Sequence, residues 1–304
     1  FFDSYRIAVE GEGNPFIDLV DMLRSYEETA ATPTDRRRDH FVHAVNVFAT
    51  GLAIWVENPH LRNAFAAAVP EEGYDYAYTT PYEEFFFRWG IASLFHDVGY
   101  PVEIVGNQIN RIMRIVADMD GADVRVKAGI SYENFDELNH INEIVPAETF
   151  TATFREAYED ADDLDPLAPL DLLAYSIHRS FGCDLATIKE ALDGYVDTMA
   201  ATGFIDHGYY SALIVLKWYG FALQKAGGVP EKLYWPVLDA AQAIFLHHYY
   251  RNYLQKEPFS LGEMHVGDNP LAYLLILCDE LQEWNREART FILADTVHLS
   301  LGRD

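Results

Sequence analysis

Apolar residues recur at helical intervals along most of this chain, and that periodicity restricts it to an architecture of packed helices. From Asp39 to Trp55 the positions Val42, Val45, Phe48, Leu52 and Trp55 keep the spacing of helix faces. The stretch Tyr82–Val98 repeats the pattern, with Pro81 near its start and Gly99 just past its end, the residues that favour those two positions. Further helices are expected near Phe16–Tyr26, Val102–Ala117, Leu167–Arg179, Asp184–Ala201, Tyr209–Ala226, Trp235–Leu254 and Pro270–Trp284. The last stretch, Arg289–Leu301, alternates instead, with Phe291 and Leu293, then Val297, Leu299 and Leu301, and reads as one or two strands. A strand needs a partner. Arg6–Val9 is one candidate, and sequence continuing beyond Asp304 is the other. The expected fold class is therefore all-α, a helical bundle with a small β element at the C-terminal end.

The chain divides by composition into residues 1–38, expected to pack on the core, a helical domain over 39–288, and the strand segment 289–304. An insertion near 118–165, rich in acidic and turn residues, interrupts the domain. With 304 residues, half of them hydrophobic, a large core is expected and global disorder is not. Two cysteines, Cys183 and Cys278, make neither a disulfide framework nor a Cys-type zinc site, so a reducing cytoplasm is the expected setting. No apolar run is long enough to span a bilayer, and no secretory leader is legible. The chain opens at Phe1 rather than Met, which leaves an upstream segment open. Acidic residues outnumber basic ones 48 to 22, for a net charge of -26. Such a surface repels nucleic-acid backbones and anionic membranes, and Arg36-Arg37-Arg38 is the only basic cluster against it. A solvated surface, of the kind found in salt-adapted proteins, accounts for the acidity without a function.

Against this helical background stand several ionisable stations. His96-Asp97 closes an apolar helix and runs directly into Val98-Gly99-Tyr100-Pro101. A buried carboxylate is costly unless paired or metal-bound, and the C-terminal end of a helix disfavours an anion further. A partly exposed Asp97 bonded to the Gly99 turn is the plainer account. His40 and His43 share a helix face three residues apart, where ordinary hydrogen-bonded core histidines are also common. Asp206-His207-Gly208 reads as a helix entry in which Asp206 or His207 could serve as N-cap. His247 and His248 are adjacent on a helix, about 100° apart around its axis, so at most one can enter a given pocket. Asp279 adjoins the stripe Leu271, Leu274, Leu275 and Cys278, where a salt bridge to Arg286 would also explain it. Imidazoles and carboxylates gathered from separate helices are the donor set of a divalent metal centre.

The series His43, His96-Asp97, His207, His247 or His248, and Asp279 resembles the HD superfamily of metal-dependent phosphohydrolases. The likeness extends to local context: Leu94-Phe95-His96-Asp97-Val98-Gly99, Asp206-His207-Gly208 with Ser211-Ala212, Ala243-Ile244-Phe245-Leu246-His247, and Leu277-Cys278-Asp279-Glu280-Leu281. It spans roughly residues 39–284 and keeps the family's order. The resemblance implies a helical domain with its site in the middle, with His96 and Asp97 at the centre of the catalysis. One metal would be held by His43, His96, Asp97 and Asp279. A second would be held by His207 and His247, with Asp97 bridging. A water acidified by both cations would attack phosphorus in a small phosphoester, with nucleotides among the candidates. The donor set suits iron, manganese, zinc, nickel or magnesium.

Departures narrow the likeness. Many members place a Lys after the glycine turn, where Tyr100 stands here. Gly99-Tyr100-Pro101 follows the His-Asp pair rather than the double His, so cyclic-dinucleotide hydrolysis is not assigned, and the net charge disfavours the nuclease branch. Arg179, Lys217 and Arg251 are candidate phosphate contacts, while His40, Asp206 and His248 are candidates to support the ligands or face substrate. The same ligand set also resembles that of di-iron oxygenases such as myo-inositol oxygenase, and a non-catalytic metal-binding sensor or scaffold is the third reading.

Overall fold

The computed structural model describes residues 21, 24–25, 40–68, 81–109, 169–226 and 231–283. Among them the chain is all-α, with no strand, as the periodicity requires. The helices with named bounds are α1 (His40–Glu57), α2 (Pro59–Ala68), α3 (Pro81–Phe95), α4 (Pro169–Phe181), α5 (Leu185–Thr202), α6 (His207–Ala226), α7 (Glu231–Tyr249) and α8 (Pro270–Glu283). Residues 100–109 are also helical, and a π-helical turn, Tyr250–Leu254, extends α7. Apart from residues 21, 24 and 25, the expected N-terminal segment lies outside the described residues, as do the acidic insertion near 118–165 and the strand at 289–304.

α7 is the centre of the bundle, packed against α3, α4, α6 and α8. Its sequence explains the position: Val237, Leu238, Ala240, Ala241, Ala243, Ile244, Phe245 and Leu246 are all buried. A helix apolar on all sides belongs inside, and three alanines let its neighbours approach closely. α3 is almost as buried and brings charge with it. Arg88 donates from Nε and Nη2 to Glu84 Oε1, at 2.8 and 2.6 Å, and from Nη1 to Asp239 of α7. Arg179 of α4 donates to the other oxygen of Asp239 at 2.6 Å. One ion network thus joins α3, α4 and α7, and its geometry satisfies a guanidinium that would be costly to bury alone.

α1 and α3 meet through aromatic faces. Trp55 stacks on Phe85 with centroids 3.6 Å apart, and Trp89 donates its indole N–H to the Phe48 carbonyl at 2.9 Å. Gly51 makes this approach possible, because a Cβ there would lie 2.0 Å from Trp89 Cζ2. Helix ends follow local chemistry. Asp184 caps α5 by accepting from the Thr187 N–H, and Gly203 closes it in the left-handed conformation at φ 72°. The helix expected to run to Val98 ends at Phe95, and two further features were not expected. The short helix α2 carries too few apolar positions to have been read from the sequence, burying only Leu61 and Phe65. The segment expected as one helix to Leu254 changes to π geometry at Tyr250, which apolar spacing alone does not signal.

Gly51→Ala should destabilise the fold by about 1–3 kcal/mol through overpacking against Trp89. A urea-denaturation midpoint equal to that of the wild type would show that the α1–α3 contact has slack.

Candidate metal centre

Helix ends bring the site together at one end of the bundle. His40 and His43 lie in the first turn of α1, His96 and Asp97 in the turn after α3, Asp206 and His207 at the entry to α6, His247 and His248 in the last turn of α7, and Asp279 near the end of α8. Two glycines permit this convergence. A Cβ on Gly99 would sit 2.6 Å from both the His207 carbonyl oxygen and the Ser211 nitrogen, and the Gly99 N–H donates to Ser211 Oγ at 2.8 Å. A Cβ on Gly208 would come within 3.0 Å of His247 Cε1 and 3.1 Å of Asp206 Oδ1.

Two groups of ligand atoms result: His43, His96 and Asp97, and Asp97, His207 and His247, each with its atoms within 4.8 Å of one another. Asp97 belongs to both. Its Oδ2 lies 3.5 Å from His96 Nε2 and 3.9 Å from His43 Nε2, while Oδ1 lies 3.6 Å from His207 Nε2. Asp279 Oδ1 joins the first group, 2.9 Å from His43 Nε2 and 3.8 Å from His96 Nε2.

The rings are held from behind. Nδ1 of His96 donates to the Ser93 carbonyl at 2.8 Å, Nδ1 of His247 donates to the Ile244 carbonyl, and Nδ1 of His207 donates to Glu103 Oε2 at 2.7 Å. These bonds fix the rings with Nε2 turned inward, the arrangement that metal-binding histidines share. The Nε2 atoms of His43 and His96 are 3.3 Å apart, as are those of His207 and His247. Two nitrogens each about 2.1 Å from one tetrahedral ion are separated by about 3.4 Å. The donors therefore fit a divalent cation, and this His/Asp cluster could hold metal ions.

Electrostatics agree with the geometry. Burial raises the Asp97 pKa, but the charge of His96, the hydrogen bond from His40 at 2.9 Å and the charge of His207 together hold its carboxyl well below the usual range. For Asp279 burial is likewise outweighed, by the His43 bond and by His96 and His247, leaving it at about 2. Burial also opposes the charged form of His207, yet the Glu103 hydrogen bond and the nearby carboxylates push it up to about 9. His247 moves the other way, to about 4, through burial and the charges of His207 and His96. The opposite shifts favour protonation of His207 over His247.

The remaining candidates separate. His40 bonds Asp97 as described, and Asp206 caps α6 by accepting from the Tyr209 N–H at 3.1 Å while also accepting from His248 Nδ1 at 2.9 Å. The three candidate phosphate cations stand in different settings. Arg179 is committed to Asp239, Arg251 is highly exposed and 3.9 Å from Glu280, and Lys217 lies ten residues beyond His207, about 15 Å along α6. Sequence reasoning missed Glu103, since one acid in the first turn after Pro101 looks like ordinary helix-end charge. It also missed the role of Tyr100, whose ring lies 3.9 Å from that of His40 and 5.5 Å from that of His207.

No protein-family model, curated protein or solved structure matches this chain. The functional reading therefore stands on the site itself. No described helix is long and apolar enough to cross a membrane.

Gly99→Ala should abolish or sharply weaken divalent-cation binding, because its Cβ meets backbone that cannot rotate away. Gly208→Ala, which meets side chains and a capping carboxylate, should weaken it less, as read by calorimetric titration. Cation affinity of the wild type should rise about tenfold per pH unit up to about pH 9, where the His207 proton has gone, and level off above it. A flat profile from pH 6 to 9 would mean that no proton is displaced on binding.

Proposed function

We propose that this protein is a metal-dependent hydrolase of small phosphoesters, working in the manner of the HD superfamily it resembles, in a reducing compartment. The observation that carries the reading is the position of Asp97, whose two oxygens address two separate imidazole groups. A shared carboxylate is what a pair of neighbouring cations requires. His43, His96 and Asp279 would complete one position, and His207 and His247 the other.

Bound divalent cations would acidify water and neutralise charge developing on phosphoryl oxygens. The chain's own residues prepare for that chemistry. Ser93, Ile244 and Glu103 hold the rings in one tautomer, so that the Nε2 lone pairs face inward. His40 holds Asp97 Oδ2 in place. The burial of His96 and Asp97 keeps bulk water from competing for the ligand atoms.

Asp97→Ala should strip the protein of nearly all divalent metal, measured by elemental analysis, and remove phosphoesterase activity with it. Metal content near that of the wild type would disprove the bridging role. His247→Ala should lower metal content more than His248→Ala does. Wild-type protein loaded in turn with iron, manganese, zinc, nickel and magnesium should hydrolyse bis(p-nitrophenyl) phosphate with at least one of them. Failure with all five, across a panel of phosphomonoesters and phosphodiesters, would overturn the hydrolase reading.

A further inference from the structure

A cavity lies two helical turns from the metal cluster. Arg88 precedes His96 by eight residues, Asp239 precedes His247 by eight and Leu271 precedes Asp279 by eight, so α3, α7 and α8 each carry part of its lining about 12 Å from a proposed ligand. α2 adds Phe65 and Ala68, and α4 adds Arg179 and Ser180. The cavity measures about 290 Å³. Small-molecule pockets begin at about 300 Å³, so a ligand of modest size fits it. None of its lining residues belongs to either group of metal-ligand atoms.

The polar part of the lining is held in place. Gln242, fully buried, donates from Nε2 to Ser180 Oγ at 3.0 Å and accepts at Oε1 from Asn269 Nδ2 at 3.0 Å. Asn269 in turn accepts from the Ala272 N–H at 2.9 Å and so caps α8. With Gln242 donating to it, the Ser180 oxygen keeps its own hydrogen to give. The Gln242 Oε1 that could take it is 3.3 Å away, long for such a bond, and already serves Asn269. Beside Ser180, the partly exposed Arg179 and the buried Arg88 both donate to Asp239. Glu84, the other partner of Arg88, is not part of the lining. The described lining thus sets two guanidinium charges against one inner carboxylate, while Asp268 is exposed and accepts from the His265 N–H. Phe65, Ala68, Pro270 and Leu271 make the apolar part.

We propose that this cavity is a second ligand site, built for a small carboxylate with an apolar body. The carboxylate accepts from the Ser180 hydroxyl within the field of Arg179 and Arg88, and the body lies against Phe65, Pro270 and Leu271. The net charge of -26 repels anions from the molecule as a whole, so only a local excess of positive charge makes an anion the preferred guest. The site is independent of the phosphoester reading above.

The test uses phenylacetate, phenylacetamide and 2-phenylethylamine, which share a benzyl body and are negative, neutral and positive at neutral pH. Binding of each to the full chain is measured by calorimetry, before and after chelation of metal. Wild type should bind phenylacetate about tenfold more tightly than the amide, the scale of one charge-assisted hydrogen bond, and the amine most weakly. Arg179→Gln should erase that preference. Ala68→Trp, which fills the cavity from the exposed end of α2 and spares the ion network, should block all three. Should Arg179→Gln fail to fold, Ala68→Trp alone decides. No phenylacetate binding in the millimolar range, equal or tighter binding of the amide or amine, a preference that survives Arg179→Gln, or binding that survives Ala68→Trp would each overturn the proposal. So would binding that vanishes on chelation, since the carboxylate would then sit on the cations.

Discussion

The buried carboxylate of Asp97 is the constraint around which this protein is organised. It sits where an anion is doubly disfavoured, inside the bundle and at the end of a helix. Imidazoles are its compensation: His40 bonds it, and His43, His96 and His207 stand within 4 Å of it. Those four rings come from three separate stretches of chain. The helices that carry them must therefore end at one place, and that requirement explains the glycines at 99 and 208 and the capped entry of α6 at Asp206.

Much of this was legible in the sequence. The helical spacing of Val42, Phe48 and Trp55, or of Leu271, Leu274 and Leu275, follows directly from burying one side of a helix. The all-α class was read correctly for that reason. The six candidate ligands came from the resemblance to the HD superfamily, whose order of His and Asp stations the sequence keeps, and the structure brings all six side chains together. What escaped was whatever depended on distance in space. Glu103 acquires its meaning only when α6 brings His207 within 2.7 Å of it. Arg179 looked available for a phosphate because nothing in its own segment hinted at Asp239, sixty residues on. His247 and His248, adjacent in sequence, turn to different partners. The partner that fixes His248, however, belongs to another helix.

The pairing of His207 with His247 brings two imidazole nitrogens together in unlike surroundings. Two imidazoles 3.3 Å apart would repel if both were charged and leave two lone pairs opposed if neither were. Their environments separate them instead: Glu103 favours the proton on His207, while burial and neighbouring charge keep it off His247. A cation taking both nitrogens as ligands would have to displace a proton favoured on His207, which would link its uptake to acidity.

The ion network at the middle of α3 and α7 has a mechanical consequence. Arg88 precedes His96 by eight residues, and Asp239 precedes His247 by the same number, so both helices span about 12 Å from the network to the imidazoles. Each acts as a lever pinned at the Arg88–Asp239 fulcrum. A tilt of only about 5° there would swing the opposite tips by about 1 Å, a large error for coordination. Precision at the helix tips is therefore set by stiffness at their middles.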